Sequence, residues 1–173
     1  MQPKLRPIGG MDEKLHSACT QTQGPGMDEG ILFTIGFTKK SAESFFTMLE
    51  RSGIRAIIDV RLQNTSHLAG FTKKEDLIFF LNRIIKCEYM HRPEWAPTAA
   101  LLDAYKKKEI AWGDYASQFD QLLQERFARK DFSIQALDRT CLLCSEVTAD
   151  CCHRRLVAEW LQRQLPGLVV QHL

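Results

Sequence analysis

The chain lacks any long apolar run. Nothing approaches the roughly 18 consecutive apolar residues that a membrane-spanning helix requires, so no membrane partner is expected. The N-terminus also lacks the apolar stretch of about 7–15 residues that marks a secretory signal, which makes the cytosol the expected location. Charge of one sign is not in large excess. Lys and Arg number 23 against 21 Asp and Glu, a formal net charge of +2 over 173 residues. That balance makes no demand for nucleic acid or an acidic surface, although a local basic patch could still meet nucleic acid. No internal repeat is present. The six cysteines could form three bridges, but a cytosolic chain of this length has core enough without them and keeps its thiols reduced.

What is there is the composition of one globular domain, 45% hydrophobic and 25% charged. Residues 1–26 read as a disordered leader. They carry Pro3, Pro7, Gly9, Gly10, Gly24, Pro25 and Gly26, with no periodicity. His16 and Cys19 in that leader are expected to be irrelevant to any site. Residues 27–173 form the domain. Ile31–Gly36 reads as a short apolar strand. Ala42, Phe45, Phe46 and Leu49 repeat at i, i+3, i+4, i+7 behind Ser41 as an N-cap. Arg55–Val60 is a second strand. Thr72 to Glu75 fits a capping box before a helical stripe of Leu77, Phe80, Leu81 and Ile84. Cys87–Met90 is a third strand, and Pro93 and Pro97 hold the next segment as a loop. Thr98 caps a helix reaching about Lys108, and a further helix runs from about Asp114 to Arg129. Thr140–Cys144 is the fourth strand, Asp150 caps a helix over Cys152–Gln164, and Leu168–Val170 is the last strand. Strands alternate with helices, which predicts a three-layer α/β fold: a mostly parallel sheet of about five strands flanked by helices.

The chemistry concentrates between Cys141 and Arg154, where four of the six cysteines lie with Glu146, His153 and Arg154. Ligands of open α/β sheets bind beyond the carboxyl ends of the strands. Gly36 closes the first strand, Asp59 and Arg61 the second, Cys144 and Glu146 the fourth. Cys152, His153 and Arg154 open a helix whose N-terminus favours anions and lowers the pKa of a nearby thiol. These positions predict a pocket for a small anionic ligand or nucleotide. Gly36, Arg61, Cys152 and Arg154 would bind it. Cys144 is the candidate nucleophile, Glu146 or Asp59 the acid–base group, and His153 the orienting group or proton shuttle. Cys141 and Cys151 read as structural, and His67 as a surface residue.

Strand–Cys–loop–helix resembles cysteine phosphatases and sulfur transferases, but their loop is Cys-x5-Arg, and Arg154 stands ten residues after Cys144. A zinc site from Cys141, Cys144, Cys152 and His153 is a second possibility. It is disfavoured because residues three apart on a strand point to opposite faces. A redox pair of Cys144 and Cys152 is a third. A non-catalytic binding or regulatory module would use the same residues as scaffold. No cofactor is expected and no metal is assigned; substrate, reaction and oligomeric state stay open.

Several short pieces, taken in order, carry a family resemblance. They are Thr34-Ile35-Gly36, Asp59-Val60-Arg61, Phe71, the segment Pro93 to Thr98 with Leu102 to Lys106, Leu143 to Glu146, Cys152-His153-Arg154 and His172. From Thr34 to Leu173 the chain resembles the family known as domain of unknown function 488. Many relatives have a histidine after Thr-Ile-Gly, where this chain has Phe37. Many have a proline after Asp-Val-Arg, where it has Gln63-Asn64-Thr65. The resemblance implies a compact α/β domain of bacterial or archaeal type and brings no established reaction.

Overall fold

A computed structural model describes residues 29–65 and 69–173. The leader over 1–26, with His16 and Cys19, and the placement of His67 lie outside the described residues. The elements are β1 (Gly30–Gly36), α1 (Ala42–Arg51), β2 (Ala56–Asp59), α2 (Lys74–Phe80, continued by a π-helical turn over Leu81–Ile85), β3 (Glu88–His91), α3 (Ala99–Lys106), α4 (Trp112–Phe127), α5 (Ile134–Leu137), β4 (Thr140–Cys144), α6 (His153–Gln164) and β5 (Leu168–His172). The five strands form one sheet in the order β3-β2-β4-β1-β5, every pair parallel. The chain is thus an α/β protein, and its sheet is wholly rather than mostly parallel.

Local signals explain most element boundaries. The Ser41 side chain accepts from the Ser44 N–H at 3.1 Å, and Thr98 from Leu101 N–H at 3.2 Å, so two helices begin where a hydroxyl satisfies an otherwise unpaired amide. The capping box at Thr72 does not form. Its hydroxyl donates instead to Ala69 O at 2.9 Å inside a preceding 3₁₀ turn, and Lys73 takes the cap position without a side-chain bond. Asp150 does not cap α6 either; the helix starts at His153 with Cys152 as its N-cap. The short helix α5, capped by Ser133, has too few residues to display a helical period.

The sheet divides the interior in two. Phe45, Phe46 and Leu49 of α1 and Leu77 of α2 pack with Phe33, Ile35, Ile57, Cys141 and Leu143 on one face. Phe119, Leu123 and Phe127 of α4 and Val157, Trp160 and Leu161 of α6 pack with Leu32, Ile58, Leu142 and Cys144 on the other. The period of two along β4 therefore sends Cys141 and Cys144 to opposite faces. The chain leaves β1 and β2 toward the α1–α2 face but leaves β4, which lies between them, toward the α6 face. A topological switch point flanks β4 on each side, and crevices open at such points. Among the described residues no helix is long and apolar enough to cross a membrane.

Candidate functional site

The loop leaving β4 crosses directly over the end of β1. An added Cβ on Gly36 would overlap the Glu146 carbonyl oxygen and would lie 2.8 Å from Glu146 C and from Arg154 Nη1. Gly36 is therefore the crossing point of two backbones rather than a ligand contact. Thr38 N–H donates to Ser145 O at 3.2 Å and holds the crossing. Arg154 ties the layers together from below. It is 1% exposed. Its Nη1 donates to Glu146 O at 2.9 Å and to Cys152 Sγ at 3.4 Å, and its Nε to Thr34 Oγ1 at 3.4 Å. Thr34 Oγ1 also lies 2.7 Å from His172 Nδ1. Arg154 does not line the crevice; it is an internal clamp joining β1, β5 and the β4–α6 loop.

Cys144, Cys152 and His153 are all buried, with their donor atoms within 4.8 Å of one another. His153 Nε2 lies 2.9 Å from Val60 O, a bond that a carbonyl can make only to an N–H. Nδ1 is thereby left to face the sulfur. Cys144 Sγ is 3.6 Å from both ring nitrogens, so it lies against the flank of the imidazole rather than on the axis of one nitrogen. A metal on Nδ1 would sit in the ring plane about 2 Å out and would hold the sulfur at unequal distances from the two nitrogens. Cys141, the fourth ligand of the zinc possibility, is on the far face of the sheet. The arrangement suits an ion pair better than a metal.

Burial alone would push the Cys144 thiol up. The hydrogen bond from the Cys152 thiol, the neighbouring His153 and the Glu146 amide outweigh burial and hold it well below the usual thiol value. Cys152, which supplies that bond, is pushed far up. Burial would lower His153, but the Cys144 charge raises it. The remaining buried thiols are inert by comparison: burial pushes Cys87 up to about 12 and Cys141 well above its usual value. A depressed native pKa gives a contribution that is present above the ordinary thiol pKa and lost as pH falls through the native one. Thiolate ultraviolet absorbance should therefore persist below about pH 8, where free thiols are mostly protonated, and vanish in Cys144→Ser. Equal absorbance from both proteins in that range would remove the thiolate from this site.

Asp59 belongs to a different cluster. It shares the Ile57 side of β2, opposite to Cys144, and is wholly buried. Its Oδ1 accepts from Arg61 Nε at 2.8 Å and from Arg61 N at 3.1 Å, and its Oδ2 from Arg61 Nη2 at 2.6 Å and Tyr89 Oη at 2.7 Å. Both oxygens are committed to anchoring Arg61 and Tyr89, which leaves Asp59 an anchor rather than an acid–base group. Arg61 Nη2 also donates to Thr72 O at 3.0 Å, and His91 Nε2 lies 2.8 Å from Arg61 O. The guanidinium sits 5.3 Å from the centre of the Phe37 ring. Arg61 is 4% exposed, and its Nη1 has no partner.

A cavity of about 380 Å³ opens at this edge, with Arg61, Phe37, Ser145, Glu146 and His153 on one side and Leu102, Asp103 and Lys106 of α3 on the other. The eight residues singled out in the sequence thus fall into two groups. Arg61, Glu146 and His153 line the cavity, while Cys144 lies just behind its wall. Cys152, Arg154, Asp59 and Gly36 support it from within. Leu102 to Lys106 of α3 entered the sequence reading only through the family resemblance and without a site role, because α3 reaches the crevice through tertiary packing. Phe37 was noted as a departure from the relatives, without a role.

The model of the family described as Domain of unknown function DUF488 matches residues 41–161. The chain belongs to the DUF488 family. The matched span holds Asp59, Arg61, Cys144, Glu146, Cys152, His153 and Arg154. It leaves out β1 and β5, although β1 pairs with β4 and β5 and supplies Gly36 and Thr34. The DUF488 fold of this chain is therefore completed by strands on both sides of the matched span. No curated protein and no solved structure matches the chain.

Proposed function

We propose that the cavity at the β1–β2–β4 edge binds a small anionic molecule, and that His153, kept as an imidazolium by the Cys144 thiolate, meets it as a charged group. One observation carries this reading: His153 is the member of the buried thiol–imidazole cluster that reaches the cavity wall. Cys144, 1% exposed, acts through His153 in this arrangement. The nucleophile role suggested by the sequence would require the buried Cys144 sulfur to become accessible. Glu146, exposed at the rim, is the acid–base group in reach. A nucleotide or another phosphate-bearing molecule is one form of the anion, with an enzyme acting on it as the corresponding activity.

The test is ligand-observed NMR with inorganic phosphate, AMP and simple carboxylates, on the native protein and on His153→Gln. Glutamine can still donate to Val60 O, so the fold should survive. Binding should weaken about tenfold in the variant, roughly 1.4 kcal/mol. In the native protein affinity should fall as pH rises through the raised His153 pKa, since the imidazolium is then lost. No binding of any probe, or equal binding by both proteins, would defeat the proposal. The burial of Cys144 favours a second reading, a binding module without chemistry. In that case any bound ligand is recovered unchanged after prolonged incubation.

A further inference from the structure

We infer that the groove between α1 and the end of α2 docks a basic amphipathic helix of a partner protein, its apolar stripe on Phe46, Phe79, Phe80 and Ile84 and two cationic side chains on Glu43 and Glu50. This groove shares no residue with the cavity described above, so the two stand or fall separately. It begins with a break in the helical period. Leu77 and Leu81 lie one turn apart and are wholly buried. In an α-helix Ile84 would continue their stripe, as its spacing predicts. The helix instead widens into the π-helical turn over Leu81–Ile85, and Ile84 comes out 47% exposed. Such turns are rare and occur frequently at functional sites. Phe79 is 60% exposed. Its ring centre lies 5.5 Å from that of Phe80, and Phe80 lies 5.7 Å from Phe46. An aromatic row thus runs from the core to the surface and ends uncovered, beside a cavity of about 250 Å³ between the two helices.

Charge decides what the apolar row meets. Glu43 and Glu50 line the groove from α1, and no basic residue lines it. Both are exposed, and neither forms an ion pair among the described residues. Seven residues apart, they stand on one face of α1, about 10 Å from each other along its axis. A helix laid along α1 has the same rise per residue. Its complement to this face is therefore a pair of Lys or Arg seven residues apart, with apolar residues between them to meet Phe46 and Phe80. A channel between two helices accepts the side-chain ridge of a third, the geometry by which amphipathic helices are recognised in grooves. A second copy of the same face would set its own carboxylates against these, which disfavours self-association here.

The experiment is a backbone-amide NMR titration of the full chain with a synthetic Leu/Lys peptide patterned as an amphipathic helix, and with its Leu/Glu counterpart. The Leu/Lys peptide should shift the amides of Phe46, Thr47, Phe80 and Ile84, and the Leu/Glu peptide should leave them in place. Replacing both carboxylates, Glu43→Gln with Glu50→Gln, should weaken binding about fivefold, as expected for two exposed charge pairs. Phe79→Ser should weaken it about tenfold through lost apolar burial. All three side chains are exposed, so the variants should fold. Full binding by Phe79→Ser would mean charge attraction without the apolar row, and overturns the inference. Equal responses to the two peptides, or none to either, overturn it as well. Concentration-dependent shifts of the same amides in the native chain alone, lost in Phe79→Ser, would make a second copy the occupant. Shifts of the amides of residues 1–28 in Phe79→Ser, with no peptide present, would make the chain's own N-terminal segment the occupant. Either result replaces the partner helix and sinks the inference.

Discussion

Gly36→Ala should cost about 3 kcal/mol or more of folding stability, beyond the usual range for overpacking by one methyl group. Most overpacked sites relax by turning a side chain. Here the overlapping atom is the Glu146 backbone carbonyl, and its carbon lies 2.8 Å from the new methyl. That carbonyl cannot retreat freely, because it accepts from Arg154 Nη1 at 2.9 Å and its neighbour Ser145 O accepts from Thr38 N–H. Moving the loop would break the clamp that positions Glu146, His153 and Cys144 together. Gly113→Ala is the matched control. Its Cβ would meet nothing within 4 Å and sits in α4, so the same substitution should be neutral or stabilise by up to about 1 kcal/mol. Urea unfolding of the two variants beside the native protein measures the difference. A Gly36→Ala loss below about 1 kcal/mol would show that the β4–α6 loop yields, and the crossing would lose its role.

The elements were legible in the sequence wherever one residue class repeats at one period. Phe45, Phe46 and Leu49 announced α1, and Thr140–Cys144 announced β4 with the boundaries it has. Alternation puts Asp59 in step with Ile57 and Cys144 with Leu142, and the β2–β4 register, with Ile58 beside Leu142, then sends them to opposite faces. Placing both at strand ends concealed that they face opposite sides. What sequence could not show is contact across long separations. Gly36 meets Glu146, Arg154 meets Thr34, and His153 meets Val60, 93 residues away. Such pairs depend on strand order, and the insertion of β4 between β1 and β2 follows no local rule. The capping errors have a simpler origin. A hydroxyl or carboxylate near a helix start has several amides and carbonyls in reach, and Thr72 chose Ala69 O.

Arg154→Met should lower stability by about 3–5 kcal/mol, the range for breaking a buried charged interaction by removing one partner. Methionine fills much of the same volume, so the cost is chiefly polar. Glu146 O, Thr34 Oγ1 and Cys152 Sγ would all lose a donor inside the protein. The size of the loss also reports on charge. Arginine is rarely buried to this degree without an anion, and no carboxylate forms an ion pair with Arg154 among the described residues. The group in reach able to carry negative charge is the Cys144–Cys152 thiol pair as a thiolate, with Cys152 Sγ 3.4 Å from Arg154 Nη1. If that thiolate is the counter-charge, removing Arg154 leaves it buried with His153 alone. The penalty should then grow as pH rises and the thiolate becomes fully populated, and it should shrink in acid, where a protonated sulfur needs no partner. Urea unfolding of native protein and Arg154→Met across that pH range reads both terms. A constant penalty would mean that Arg154 serves as a hydrogen-bond clamp alone, and a gain in stability would show that its burial costs more than its bonds return. A penalty that rises with pH would tie the clamp under Gly36 to the charge state of the thiol–imidazole pair. Cavity shape and His153 protonation would then depend on the same buried arginine.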